Sequence, residues 1–444
     1  MSSEHDRGTP AERATDGPVT LQRARLANGL ELVVLENPVV PLATIEIDVH
    51  NGAYVETAAF DGLSHLYEHM FFKANERIPD QERYLRRTRE LGMEWNGTTS
   101  EERVNYYFTL HSDRLAEGLQ FMADAIRTPL FLPAELERER QVVIGEYDRA
   151  ESDPGFHLHV AMGKALWRDL WVRKNVIGTR AVILATTPEQ MFQIQRRFYV
   201  PNNSALIVAG AVEMQQVEAL VTRCFGDWPA GPDPFAADPP PRHSPLAAPQ
   251  SCVVEKPVNA ASLCIAWHGP SVDIDPDGTY AADVLSFVLG QRNSRFYRRL
   301  VDSGLANRAS LHYQTLRYTG PLQMSLVCAP DRFQEAHDVL RGEIARLADD
   351  DAFTDEELST AKAQLEIDQV YDAERPSQLV HTLGYWWAVA GLEYYERYVE
   401  RLRRIDRDAI RAFVHRYIHD RPAVTGVLVA PQDRARIGAL DGAS

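Results

Sequence analysis

The chain has 444 residues, 45% hydrophobic and 25% charged, a globular composition with length for two or more domains. Its formal net charge of −16 argues against a nucleic-acid binder, which needs a basic surface to meet phosphates. No apolar run reaches the roughly 18 residues of a membrane span, and the polar start Met1-Ser2-Ser3-Glu4-His5-Asp6-Arg7 lacks a signal-peptide core, so a cytoplasmic protein is expected, periplasmic if a signal has been trimmed.

Residues 1–18 are polar and read as disordered. Leu21 to Leu35 reads as a β-hairpin about Asn28-Gly29, and Pro41 to His50 as a strand with alternating Leu42, Ile45, Ile47 and Val49. A helix is expected over 61–73, a charged helix near 80–91, strands near 93–99 and 104–111, and helices near 113–127 and 133–150. Beyond Pro154 a helical segment runs to Val176; its His157 and His159 fall on different faces and read as structural or surface residues. Leu206 to Ala211 reads as a buried strand. The proline-rich stretch 229–249 suits neither helix nor sheet interior and reads as a stiff linker. The expected division is therefore a first domain over 19–228, this linker, and a second domain over 250–438.

The second half repeats the first. Ala43–His50 matches Ala261–His268, Tyr107–Leu115 echoes Gln323–Phe333, and Phe131–Leu136 echoes Phe353–Leu358. A repeat this long indicates duplicated domains and not a solenoid.

Chemistry concentrates in Asp61-Gly-Leu-Ser-His-Leu-Tyr-Glu-His-Met-Phe-Phe-Lys73. His65 and His69 stand at i and i+4, so on a helix both imidazoles reach one point, with Glu68 bordering the same face. Two neutral imidazoles suit Zn²⁺, a nearby carboxylate can take a proton from water, and His-x-x-Glu-His is the inverted zinc-peptidase order. A third ligand is needed. Glu139 and Glu146, two turns apart on the helix opened by Pro133, are the candidates, while Glu135 and Glu137 read as surface charges. The repeat supplies a test. Asp283, Ser286 and Phe287 stand opposite His65, Glu68 and His69, and Ala361 and Asp368 stand opposite Glu139 and Glu146. Residues needed for the fold would recur in both copies. These do not, so the constellation is a functional addition to one copy.

His65-x-x-Glu68-His69 followed by Glu146, with Glu139 two turns before it, resembles the signature of the pitrilysin/insulinase (M16) family of zinc peptidases, which includes the mitochondrial processing peptidases. Gly92-Met93-Glu94-Trp95-Asn96-Gly97-Thr98-Thr99 is similar to its Gly-x-x-x-Asn-Ala-x-Thr strand, and Tyr199-Val200-Pro201-Asn202-Asn203 to its Tyr-x-Pro-x-Asn. The resemblance implies an α+β fold of two tandem homologous α/β sandwich domains (LuxS/mitochondrial-processing-peptidase-like), each a mixed, mostly antiparallel sheet covered by helices. It implies one Zn²⁺ per chain on His65, His69 and Glu146, with Glu68 as general base and Glu139 orienting His69 or His65. It implies too that Asn96, Gly97 and Thr98 pair with an extended peptide, and that a chamber between the domains favours small or unfolded polypeptides. Mn²⁺ or Co²⁺ could occupy such ligands as well.

One departure stands out. Active members often carry an Arg–Tyr pair within Arg-Gly-Leu-x-Tyr in the second half, where this chain reads Ser303-Gly304-Leu305-Ala306-Asn307. Either Arg308 or Tyr313 substitutes, or a partner subunit supplies the pair. A homodimer, or a heterodimer with a non-catalytic homologue, is therefore expected. The competing reading is a non-catalytic assembly or peptide-binding subunit, against which the intact His65, Glu68, His69 and Glu146 count. The scattered Cys224, Cys252, Cys264 and Cys328 read as core thiols, and no Ser or Cys nucleophile motif is present.

Overall fold

In the computed structural model, which describes residues 12–13, 21–374, 376–438 and 440, the Asn28-Gly29 hairpin forms. Strand β1 (Glu12–Arg13) pairs with β2 (Gln22–Arg25), which pairs antiparallel with β3 (Glu31–Glu36). Gly29 adopts φ 92°, open to glycine without steric cost, and the Asn28 amide ties the turn to the carbonyls of Phe225 and Trp228. The rest of the expected disordered N-terminus lies outside the described residues.

With β4 (Leu42–Val49), β5 (Glu94–Thr99), β6 (Val104–His111) and β7 (Ser204–Gly210), these strands make a seven-stranded sheet in the order β1-β2-β3-β7-β4-β6-β5. Only β3 and β7 run parallel. Side chains alternate across it as the pleat requires. Leu32, Val34, Ile45, Ile47, Val49, Leu206 and Val208 face a core closed by α1 (Leu63–Phe71), α2 (Gln81–Glu90), α3 (Leu115–Arg127) and the start of α4 (Pro133–Ser152). Val33, Leu35, Ala205, Ile207 and Ala209 face the other way, onto Leu379, Val380, Leu383 and Trp387 of the helix Pro376–Val389. Each fully buried aliphatic side chain contributes about 1.5–3 kcal/mol.

The second sheet repeats the plan with β8 (Gln250–Glu255), β9 (Ala261–His268), β10 (Arg308–Tyr313), β11 (Pro321–Cys328) and β12 (Val424–Val429), in the order β10-β11-β9-β12-β8. Read backwards, this is the path β3-β7-β4-β6-β5, and again only one pair, β12 with β8, is parallel. Helix α5 (Pro154–Trp167) covers one face, its Met162, Leu166 and Trp167 clustering with Ala266 and Val424. Gly426 permits this approach, since a Cβ there would meet Met162 Sδ at 2.1 Å.

The two halves exchange equivalent helices. One compact unit takes the chain up to Tyr147, Val172–Pro241 and Val370–Glu396; the other takes Asp148–Trp171, Arg242–Gln369 and the chain from Arg397. The break at Pro241 falls inside the proline-rich stretch, which carries neither helix nor strand. The expected linear division at 19–228 and 250–438 differs from these units by the two exchanged segments. Apolar periodicity reports that a helix is buried and not on which sheet. All four cysteines are free, and no helix among the described residues is long and apolar enough to cross a membrane.

Beneath the helix Pro376–Val389, β4 buries two charges, Glu46 and Asp48, both 0% exposed. Arg103 lies 3.8 Å from Glu46 and 3.5 Å from Asp48 and donates to the His381 carbonyl at 2.7 Å, while His381 Nδ1 pairs with Glu46. Burial and the neighbouring Glu46 push the Asp48 carboxyl well up, with Arg103 pulling the other way. Gly384 makes room for Asp48: a Cβ there would come to 2.4 Å from its oxygens. Gly384→Ala should therefore cost about 1–3 kcal/mol, read as a lower denaturant midpoint; an unchanged midpoint would contradict the packing.

In the second unit Asp283, the residue opposite His65, accepts from the Tyr398 hydroxyl at 2.8 Å, and burial pushes its carboxyl up to about 7 from an ordinary 3.8. The folded chain thus holds this proton where the unfolded chain has lost it. The resulting stability is full below the unfolded value and is lost as pH rises toward about 7. Asp283→Asn, which keeps an acceptor for Tyr398, is expected to raise Tm by roughly 5 °C at about pH 8 and leave it unchanged at about pH 4.

Candidate metal centre

Helix α1 spans nine residues and places His65 and His69 one turn apart, their rings 4.9 Å between centroids and nearly perpendicular at 85°. Its apolar positions Leu63, Leu66, Tyr67, Met70 and Phe71 are buried, which turns the other face toward α4. There Glu146 meets both histidines, its Oε2 lying 3.5 Å from His65 Nε2 and 3.5 Å from His69 Nε2. One ligand atom from each of the three lies within 4.8 Å of the others, the one such group of three or more His, Cys, Asp or Glu side chains among the described residues. Zinc bonds of about 2.1 Å at a tetrahedral angle set donor atoms about 3.4 Å apart. The residues present therefore fit a zinc ion, with a fourth position left over.

Charge is arranged around this point. Burial, with His69 beside it, lowers the His65 imidazole to about 4, which keeps it neutral and able to ligate. Burial also pulls His69 down, but the carboxylates of Glu139, Glu146 and Glu68 outweigh it and raise the imidazole. Glu139, 7% exposed, meets His69 Nδ1 at 3.3 Å with one oxygen and accepts from Lys73 Nζ at 2.7 Å with the other. Burial would raise the Glu139 carboxyl; the bonds to His69 and Lys73 prevail and lower it. Of the two histidines open to it in the sequence, Glu139 contacts His69.

Glu68 is raised by burial, opposed by the Thr99 hydroxyl, which donates to its Oε2 at 2.7 Å. Thr99 lies on β5, the last strand of its sheet. On the same strand Gly97 is buried against the end of α1: a Cβ there would sit 2.9 Å from Glu68 Cγ and 3.2 Å from Phe72. Asn96 and Thr98 are exposed, and Asn96 Oδ1 accepts from the Gly97 amide at 2.9 Å. Sequence reasoning missed Lys73 and Thr99. Both had a signal: Lys73 stands at i+4 from His69, and Thr99 is the closing Thr of the stretch similar to Gly-x-x-x-Asn-Ala-x-Thr.

Two expectations change. Glu135 is buried at 5% exposure and not a surface charge, because the start of α4 packs into the core beside α2. Tyr313 is 8% exposed with its hydroxyl donated to the Pro270 carbonyl at 3.1 Å, so it is committed to its own core; Arg308 is exposed at the start of β10.

The pattern of insulinase (peptidase family M16) matches residues 32–180, and that of the peptidase M16 inactive domain matches residues 185–365. An uncharacterised zinc protease of Streptomyces coelicolor is 24% identical over 91% of this chain and 89% of its own length. A probable mitochondrial-processing peptidase subunit beta of Arabidopsis thaliana is 21% identical over 92% of this chain and 78% of its own. Among solved structures, a protease from Helicobacter pylori superposes with a TM-score of 0.83 at 20% identity, covering 92% of this chain and 99% of that one. The duplicated sheets, the clustered His65, His69 and Glu146, and two matched domains in tandem lead to one assignment: the chain belongs to peptidase family M16, the insulinase family.

Proposed function

We propose that the protein is a zinc-dependent endopeptidase acting on small or unfolded polypeptides, with His65, His69 and Glu146 holding one Zn²⁺ per chain. The observation that carries this reading is that one Glu146 oxygen lies 3.5 Å from the Nε2 atoms of both His65 and His69, with one ligand atom from each residue within 4.8 Å of the others. When bound, zinc supplies a Lewis acid that polarises a carbonyl and lets water lose a proton near neutral pH.

The remaining work falls to the chain's own residues. Thr99 fixes one oxygen of Glu68, leaving the other to accept the proton from water and return it to the departing amine. A carboxyl raised by burial suits that exchange, because it gains and loses a proton more nearly at working pH. Glu139 accepts from His69 Nδ1, which leaves the Nε2 lone pair for the metal. Lys73 offsets the charge of Glu139.

For the substrate, β5 has β6 on one side and no strand on the other among the described residues. An extended peptide can pair with that edge beside Asn96, Gly97 and Thr98, held by main-chain bonds that tolerate many sequences. The segment Ser303–Asn307 has neither the Arg nor the Tyr of the family's pair, and the Tyr313 hydroxyl is donated to the Pro270 carbonyl. The reading therefore includes a partner, either a second copy or a non-catalytic homologue that completes substrate binding. A relative named as one subunit of the mitochondrial processing peptidase supports a two-chain arrangement.

The test is cleavage of a quenched fluorescent peptide library by purified protein, with bound metal quantified by mass spectrometry. Glu68→Gln is expected to keep zinc and lose cleavage by at least about 100-fold, since it removes the proton acceptor alone. Glu146→Gln is expected to lose the stoichiometric zinc on dialysis, taking cleavage with it. A wild-type chain that takes up no zinc, or a Glu68→Gln chain that cleaves normally, would overturn the assignment.

A further inference from the structure

Helix α1 opens on Gly62, left-handed at φ 87° and without a side chain to cap the first turn. The free N–H groups of such an end need acceptors, and a nine-residue helix is too short to hold its own first turn unaided. Glu56 supplies the acceptors. It is 4% exposed, and it accepts from the Gly62 amide at 2.7 Å through Oε2 and from the Ser64 amide at 2.6 Å through Oε1. Asn51 accepts from the Ser64 hydroxyl at 3.3 Å. On its other side Gly62 abuts Gly178, whose Cα would lie 2.6 Å from any Cβ placed on Gly62. The first turn is thus gripped from three directions, and His65 is the next residue after Ser64.

Burial pushes the Glu56 carboxyl up to about 8, opposed by the bonds from Ser64 and Gly62. Two amides donating to the two oxygens favour the carboxylate, which offers acceptors only, against the opposing push of burial. A negative charge at the N-terminus of a helix is also favoured by the aligned peptide dipoles.

We propose that Glu56 is a positioning residue for peptide hydrolysis: by anchoring the Gly62 and Ser64 amides it sets the place and tilt of α1, and so brings the His65 and His69 Nε2 atoms to Glu146. This rests on the zinc-peptidase reading above. It is separable from a general role in stability because the anchor touches only the turn that carries His65. Displacing a catalytic group by about 1 Å costs on the order of 100-fold in rate.

Glu56→Gln keeps the size of the side chain and turns an NH₂ group toward one of the two amides. Expected are far-UV circular dichroism like that of the wild type, zinc affinity lowered at least about 10-fold, and kcat lowered about 10- to 100-fold. KM should stay within about twofold, because peptide contacts on β5 are untouched. A folded Glu56→Gln chain with wild-type zinc affinity and kcat would overturn the proposal. Should this variant fail to fold, amide hydrogen exchange on the wild-type protein decides: protection of the Gly62 and Ser64 amides equal to that of Tyr67 supports the anchor, and exchange at open-loop rates overturns it. A wild-type chain without zinc would instead sink the peptidase reading, while the amide protection still judges the anchor.

Discussion

Three carboxylates, those of Glu68, Glu139 and Glu146, converge on two imidazoles in a partly buried site, and like charges so placed repel unless cations stand among them. Lys73 is one such cation, against Glu139. The same carboxylates raise the His69 imidazole, and a divalent cation on the proposed ligands would offset the charge that remains. The packing of α1 and α4 onto the first sheet has to hold this arrangement together, and the two-sided burial of that sheet is what makes it stiff enough to do so.

Much of this was legible in the sequence because it is local. The Asn28-Gly29 turn, the alternation along β4 and the i, i+4 spacing of His65 and His69 each depend on a few neighbouring residues. The clustering of Glu139 and Glu146 with them followed from helical spacing together with the family pattern. What was not legible is long-range. Glu46 and Asp48 look like the solvated side of an alternating strand, yet they are sealed beneath a helix more than three hundred residues along, which Arg103 and His381 make tolerable. Glu135 looked exposed for the same reason: a charge in a helix says nothing of what lies beside it. Glu56 carries no motif of its own and gains meaning only when Gly62 and Ser64 turn their amides toward it.

The duplicated plan shows how a site can be gained or lost without touching its frame. The strand orders agree across the two sheets, and α4 finds its counterpart in the helix Asp355–Glu374. In the second unit the place of His65 is taken by Asp283, bonded to Tyr398. There burial holds a carboxyl above its usual range beside a phenol, where the first unit gathers carboxylates and imidazoles. The sheets do not need the cluster, which is why the second copy keeps the fold without it.

The exchange of α5 for the helix Pro376–Val389 makes each sheet depend on both halves of the sequence. A half of this protein, severed within the proline-rich stretch, is not a complete folding unit: the first half leaves Leu21, Val33, Leu35, Ala205, Ile207 and Ala209 facing water. Each sheet is thus completed by a helix from the other half of the sequence, and the apolar side chains that hold it there are separate from the polar residues of α1.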